Sequence, residues 1–271
     1  MWALLLDNYV SWTGDASFVY FGPLSVWLSQ LIPYCFFGVL FTVLDVFQWP
    51  RFLYRFKVQN RPYQVEGGSR NPSLLRTLVR VAVAFATELP VLIAFQIGTA
   101  RFFGTGLRTV YDAPSWMEIA FAIVVLTLMS EVAFYFTHRL LHEVPFLYVN
   151  VHKYHHEFRS PIALASEAQH PVEMALCTAF GMTFWPFLLG THSQVMIIGT
   201  VIGTFSSMSD HSGYWLFGNG IQPMFHDWHH EFVNGNFGFL GLMDWVMGTS
   251  IKWKASAQAK KDEILARAAK N

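Results

Sequence analysis

Hydrophobic and polar positions separate into long blocks along this chain instead of alternating at short period. From Ala16 to Leu44 the sequence ASFVYFGPLSVWLSQLIPYCFFGVLFTVL carries no charge, more than the roughly 20 residues a helix needs to cross a bilayer. A second apolar block lies between Arg80 and Arg101 and contains Glu88 and Pro90. A third runs from Trp116 to Phe136, with Glu118 near its start and Glu131 near its end. Between Glu173 and Asp210 no residue is charged, but Pro186 and Gly190-Thr191-His192 divide the stretch. Two helices of about 17 residues each fit it better than one span, so a helical hairpin dipping into the membrane is predicted.

Charge placement orients the blocks. The loop after the first span holds Arg51, Arg55, Lys57, Arg61, Arg70, Arg76 and Arg80 against a lone Glu66, which makes it cytoplasmic by the positive-inside rule. Counting spans then puts 137–172 and 211–271 on the same side as that loop. Composition agrees: of 271 residues 53% are hydrophobic and only 13% charged, where a soluble domain averages about 25% charged. Lys+Arg and Asp+Glu balance at 18 each, leaving no basic footprint for nucleic acid. Cys35 and Cys177 lie in apolar runs and are expected to be buried free thiols. MWALLLDNYV has no basic n-region or cleavage site and is expected to belong to the mature protein; AAKN carries no recognisable address. The expected fold is an all-α integral membrane protein with about three transmembrane helices plus a helical hairpin, capped by a His-rich helical metal-binding region on one membrane face. Three regions are expected: 1–115 with the N-terminal spans and basic loop, 116–251 with the chemistry, and 252–271 as a charged, solvated C-terminal helix.

Eight of the 11 histidines fall in three clusters on that face: His138 and His142 in HRLLH, His152, His155 and His156 in HKYHH, and His226, His229 and His230 in HDWHH. On a helix, positions i, i+3 and i+4 lie within an arc of about 100°, so each cluster is expected to aim its imidazoles one way. A lone HxxxH is more often a polar interface pair than a ligand set. Two copies of H-x-x-H-H are a much rarer coincidence than single motif hits usually are. Neutral imidazole is the commonest protein metal ligand. Eight are too many for one ion and suit two with positions left open. A zinc hydrolase pattern such as HExxH is absent, and structural zinc sites use more cysteine.

These motifs, in this order and between hydrophobic spans, resemble the fatty acid hydroxylase / sterol desaturase superfamily. HKYHHEFRSPIALASEAQHPVE and HSGYWLF…FHDWHHEFVNGNFGFLGLMDWVMGTS are similar to sterol C4-methyl oxidases and fatty-acid-hydroxylase-domain proteins. The resemblance covers about Trp116 to Ile251. It implies a non-haem di-iron centre (zinc can substitute in a purified sample) that activates dioxygen and hydroxylates a lipid C–H bond. The eight clustered histidines are the implied ligands and catalytic residues. His211, just after the hairpin, is an implied ninth ligand, while Trp215 stands where some members place a tenth. It also implies a separate electron donor, a b-type cytochrome with its reductase; the chain has no HPGG and no GxGxxG. The basic 51–80 loop could dock such a partner or serve as a topology determinant and lipid contact.

Other residues carry weaker expectations. Glu131, two turns from His138, is a candidate for orienting an imidazole N–H, and Asp227 is another. Asp210, Glu157, Glu167, Glu231 and Asp244 are alternatives, most of them readable as surface salt bridges. His170 reads equally as a pocket residue or as a helix cap before Pro171, and His192 as structural. The leading functional expectation is lipid hydroxylation, on a sterol C4-methyl group or on a fatty-acyl or sphingolipid chain. Desaturation with the same metals and a non-catalytic subunit of an organellar membrane complex are the rivals. The family expectation for location is the endoplasmic reticulum, with a mitochondrial or plastid inner membrane as alternative.

Overall fold

A computed structural model describes residues 22–59, 63–68, 70–108, 113–215, 222–250 and 253–269. The start of the first apolar block and Arg61 lie outside the described residues. Among those described, the chain is helical, with no β-strand beyond two isolated bridges. Three helices are long and apolar enough to cross a membrane: α1 (Pro23–Phe47), α2 (Leu74–Phe103) and α3 (Trp116–Glu143). The protein is an all-α integral membrane protein, as the block pattern implied. Apolar side chains on their outer faces, such as Ile32 and Phe36 on α1 and Trp116 and Phe121 on α3, are exposed, as lipid-facing positions should be.

α2 and α3 extend beyond their apolar blocks, and their ends carry partnered polar groups. The Ser73 hydroxyl accepts from the Arg76 amide, and the Ser115 hydroxyl from the Glu118 amide, so each cap satisfies an otherwise orphaned N–H. At the far end of α2, Gly104 adopts φ 66°, the left-handed geometry that closes a helix C-terminus. α3 continues unbroken past Phe136 through HRLLH. Two further turns thus carry His138 and His142 out of the apolar block.

The predicted hairpin is present, but its first limb is not a plain α-helix. After the short turn Pro171–Glu173 it winds as a π-helix over Met174–Thr183 and returns to α over Phe184–Leu188. The second limb is α4 (Ser193–Ser212). The π segment packs on α3, where a Cβ on Gly181 would sit 3.2 Å from Phe134 Cα; only glycine allows that approach without a shift. His192 caps α4, its Nδ1 accepting from the Gln194 amide, in keeping with a structural role.

On the cap, HDWHH lies on α5 (Gln222–Phe232), followed by the short helix Leu242–Met247 and by α6 (Trp253–Ala269). HKYHH departs from expectation. It forms a 3₁₀ turn, His152–Tyr154, with His155 and His156 following in a tight bend. The amides of both His155 and His156 fold back on the His152 carbonyl, at 3.0 and 3.1 Å. α6 is not wholly solvated either: Ile264 is buried beside Val58, Trp215 and Met224, and Arg267 donates to the Lys57 carbonyl. Cys177 is buried as expected, whereas Cys35 is exposed on the outer face of α1; both are free.

Much of the basic loop is engaged within the chain. Lys57 pairs with Asp45 at 2.6 Å and also donates to the Ser212 carbonyl. Arg80, only 1% exposed, donates to the Tyr154 carbonyl and to Glu157, both at 2.7 Å. Arg76 also reaches Glu157, and Arg70 reaches Glu231. These ties fasten α2 and the loop to both histidine phrases.

Candidate metal centre

All nine histidines named as ligands converge at one end of the helix bundle, in two adjoining groups. His138, His142, His152, His156 and His229 form one; His155, His211, His226 and His230 form the other. Within each group the facing nitrogens all lie within 4.8 Å of one another. The expectation that each cluster aims in one direction holds for HRLLH, whose two histidines share a group, and fails for the two H-x-x-H-H phrases. In both H-x-x-H-H phrases the i and i+4 histidines join one group, while the i+3 histidine turns to the other. The phrases are exchanged: His152 and His156 meet His229, and His226 and His230 meet His155. The groups are close, with 4.9 Å between the ring centroids of His156 and His230.

Tautomers follow from the partners of Nδ1. His138 donates to the Phe237 carbonyl at 2.6 Å, His211 to the Ser207 carbonyl at 2.8 Å and His229 to the Gly235 carbonyl at 2.7 Å. A carbonyl only accepts, so Nδ1 bears the proton in each ring and Nε2 is a bare lone pair. Nδ1 of His152 lies 3.1 Å from Glu173 Oε1, close but outside hydrogen-bonding geometry. The Nε2 atoms face one another: His138 to His152 at 3.0 Å, and His211 to His226 at 2.9 Å. His152 Nε2 also lies 2.8 Å from that of His142 and 3.0 Å from that of His156. His138 and His229 thus aim bare lone pairs into the first group and His211 into the second, as metal ligands do. Burial, and after it neighbouring imidazoles, hold His152, His155, His156, His226 and His230 well below the ordinary histidine range; His229 is depressed first by burial and then by His138. Neutral, buried, lone-pair-inward imidazoles fit a pair of cations.

The carboxylates are placed otherwise than expected. Glu131 touches no imidazole. Its oxygens accept from the backbone amides of Phe239, Leu240 and Met243 at 2.9–3.0 Å. Asp244 accepts from the Phe237 and Gly238 amides and from the Thr249 hydroxyl. A Cβ on Gly238 would lie 2.6 Å from Glu131, so glycine lets the loop close over both carboxylates. Together they hold the loop whose Phe237 carbonyl orients His138. Asp227 accepts from Gln59 Nε2 at 3.1 Å, tying α5 to the basic loop, and burial pushes its carboxyl up to about 7. His170 is a cap: its Nδ1 accepts from the Val172 amide, and its ring joins neither histidine group. Glu157 and Glu231 pair with arginines. Glu173, which sequence reasoning used only as a boundary of the uncharged stretch, is the carboxylate that meets an imidazole.

A cavity of about 340 Å³ reaches His138, His155, His211 and His226, touching both groups. It follows α4 down to Met196, about 22 Å from His211 at 1.5 Å per residue. Ile123, Leu126, Phe134, Met182 and Leu240 line it from α3, the π segment and the cap loop.

A helical membrane bundle with two histidine groups at the head of a mostly apolar cavity is an arrangement that could hold metal ions beside a membrane-embedded cavity. Comparison with known proteins makes it specific. The fatty acid hydroxylase family profile matches residues 123–249. The chain is 32% identical over 176 residues to methylsterol monooxygenase 2-2 of Arabidopsis thaliana, covering 61% of this chain and 64% of that protein. It is 28% identical over 233 residues to fatty acid hydroxylase domain-containing protein 2 of Homo sapiens, covering 84% and 67%. It is 30% identical over 214 residues to a very-long-chain aldehyde decarbonylase of Oryza sativa, covering 74% and 79%. The chain thus spans just under two thirds of the methylsterol monooxygenase. No solved structure matches. The chain belongs to the fatty acid hydroxylase family, a family of lipid-modifying oxygenases.

Proposed function

We propose that this chain is a membrane-bound di-iron oxygenase that hydroxylates an unactivated C–H bond of a membrane lipid. His138, His142, His152, His156 and His229 would hold one iron, and His155, His211, His226 and His230 the other. The observation that carries this reading is the pair of adjoining groups of inward-facing Nε2 atoms, opening on a cavity that runs along the hydrophobic helices. Bound there, the metal pair supplies activation of dioxygen and removal of hydrogen from the lipid.

The chain's own residues orient and exclude. The Phe237, Ser207 and Gly235 carbonyls fix three imidazole tautomers, and Glu173 stands beside His152. The apolar walls keep water from the reacting carbon. Hydroxylation converts R–H, dioxygen, two electrons and two protons into R–OH and water, so an external two-electron supply is required; a separate b-type cytochrome and its reductase fill that role. A sterol C4-methyl group is the first candidate substrate and a fatty-acyl or sphingolipid chain the second. Relatives named methylsterol monooxygenase and fatty acid hydroxylase support both. The endoplasmic reticulum is the proposed membrane, with imaging of the tagged full chain deciding against an organellar inner membrane.

The test supplies iron-loaded full chain in lipid nanodiscs with isotopically heavy dioxygen and a reductant. The lipid product gains one heavy oxygen atom, and His155→Ala yields none. Lipid whose new oxygen comes from water contradicts the proposal. Lipid extracts of cells lacking the protein then separate accumulated 4-methylated sterols from missing hydroxylated acyl chains.

A further inference from the structure

The cavity is not apolar throughout. On the side formed by α1 and the short turn Ala163–Glu167, it is lined by Gln30, Ser166 and Glu167. All three are buried, Ser166 to 1% exposure, and the Ser166 hydroxyl has no hydrogen-bond partner. Gln30 and Glu167 face the same wall of the cavity. Glu88 of α2 is buried with Oε1 unpartnered. Polar groups at membrane depth are costly, and a buried hydroxyl left unsatisfied costs roughly 1–3 kcal/mol. Nothing in the metal centre uses these side chains.

Their distance from the metal centre follows from helix geometry. Tyr34 donates to the Leu164 carbonyl, and Leu164 abuts Gly38 together with Met208, about one turn from His211. Gln30 lies one turn further down α1 than Tyr34, away from the Asp45 end that meets Lys57 and Ser212. Gln30 lies two turns below Gly38 on α1, so this side of the cavity is on the order of 10 Å from the Met208–His211 level along the bundle.

We propose that Gln30, Ser166 and Glu167 form a polar subsite partway down the substrate cavity, and that the lipid it takes carries a hydroxyl or carbonyl group about 10 Å from the carbon that reacts. This rests on the cavity being the substrate site of the proposed oxygenase; it narrows the substrate class to lipids with an internal polar group and favours an acyl chain over a 4-methylsterol, whose hydroxyl adjoins the reacting carbon. Burial pushes the Glu167 carboxyl up to about 8, so near neutral pH it is mostly a protonated acid that can donate as well as accept. Ser166 supplies a further donor and acceptor. A plain hydrocarbon chain would leave the Ser166 hydroxyl unanswered.

The test is binding, independent of turnover. Full chain in nanodiscs is titrated with octadecane and with the positional octadecanols, each competing against a fluorescent fatty-acyl probe. One isomer, or two adjacent ones, should bind roughly tenfold tighter than octadecane, about the worth of one well-made buried hydrogen bond. Ser166→Ala and Glu167→Leu should abolish that preference, every isomer then binding as octadecane does to the same variant. Equal affinity across the series, no measurable binding by any hydroxy isomer, or a preference that survives both substitutions overturns the subsite. Position-selective binding by a protein that never oxidises lipid would leave the subsite standing and overturn the oxygenase reading instead.

Discussion

Glu173 Oε1 lies 3.1 Å from Nδ1 of His152, the imidazole whose Nε2 stands within 3.0 Å of three others. Glu173 is 3% exposed and comes from the turn that opens the hairpin, so the hairpin's first residues stand against the ring at the hub of the five-histidine group. Outer partners of this kind typically matter 10–100-fold in metal affinity. Glu173→Ala should weaken retention of one ion per chain by roughly that factor in chelator competition, and Glu173→Gln, which keeps an acceptor oxygen, by less.

Glu131 works through backbone. Its two oxygens accept three amides of the loop that follows Phe237. Glu131→Ala would orphan three donors, at roughly 1–3 kcal/mol for each buried one. A loss of about 3 kcal/mol or more is expected in unfolding experiments, with metal content falling alongside because the Phe237 carbonyl loses its anchor. Glu131→Gln should recover part of both.

Glu167 gives a pH dependence. Burial moves its carboxyl from the ordinary 4.5 to about 8. Between those values the folded chain holds a proton that the unfolded chain has released, so stability falls as pH rises. The decline begins near 4.5, is complete just above 8, and is at most on the order of 1 kcal/mol per pH unit. Glu167→Gln should flatten it, which thermal unfolding in detergent at about pH 5 and pH 8 measures directly.

The spans, the hairpin and the eight clustered histidines were legible because block hydrophobicity and imidazole spacing are local signals, whereas His211 came only from the family resemblance. The exchange between the two phrases was not legible. A helical wheel places His152, His155 and His156 on one arc, and only the 3₁₀ bend and the opposing α5 turn His155 toward His211. Glu131 was noticed as an intramembrane carboxylate, but its partners are amides more than 100 residues away. Glu173 was overlooked because nothing in QHPVE distinguishes a carboxylate facing an imidazole from one facing solvent. The loop arginines read as topology and docking charge, while Arg80 is a buried tie to Tyr154 and Glu157.

The most direct measurement of the central claim is the metal content of purified full chain reconstituted with ferrous iron. The expected result is about two ions per chain, with His155→Ala and His152→Ala each lowering the count and Mössbauer spectra showing coupled irons in the wild type. A chain that retains no metal, or that holds its full count after both substitutions, would contradict it.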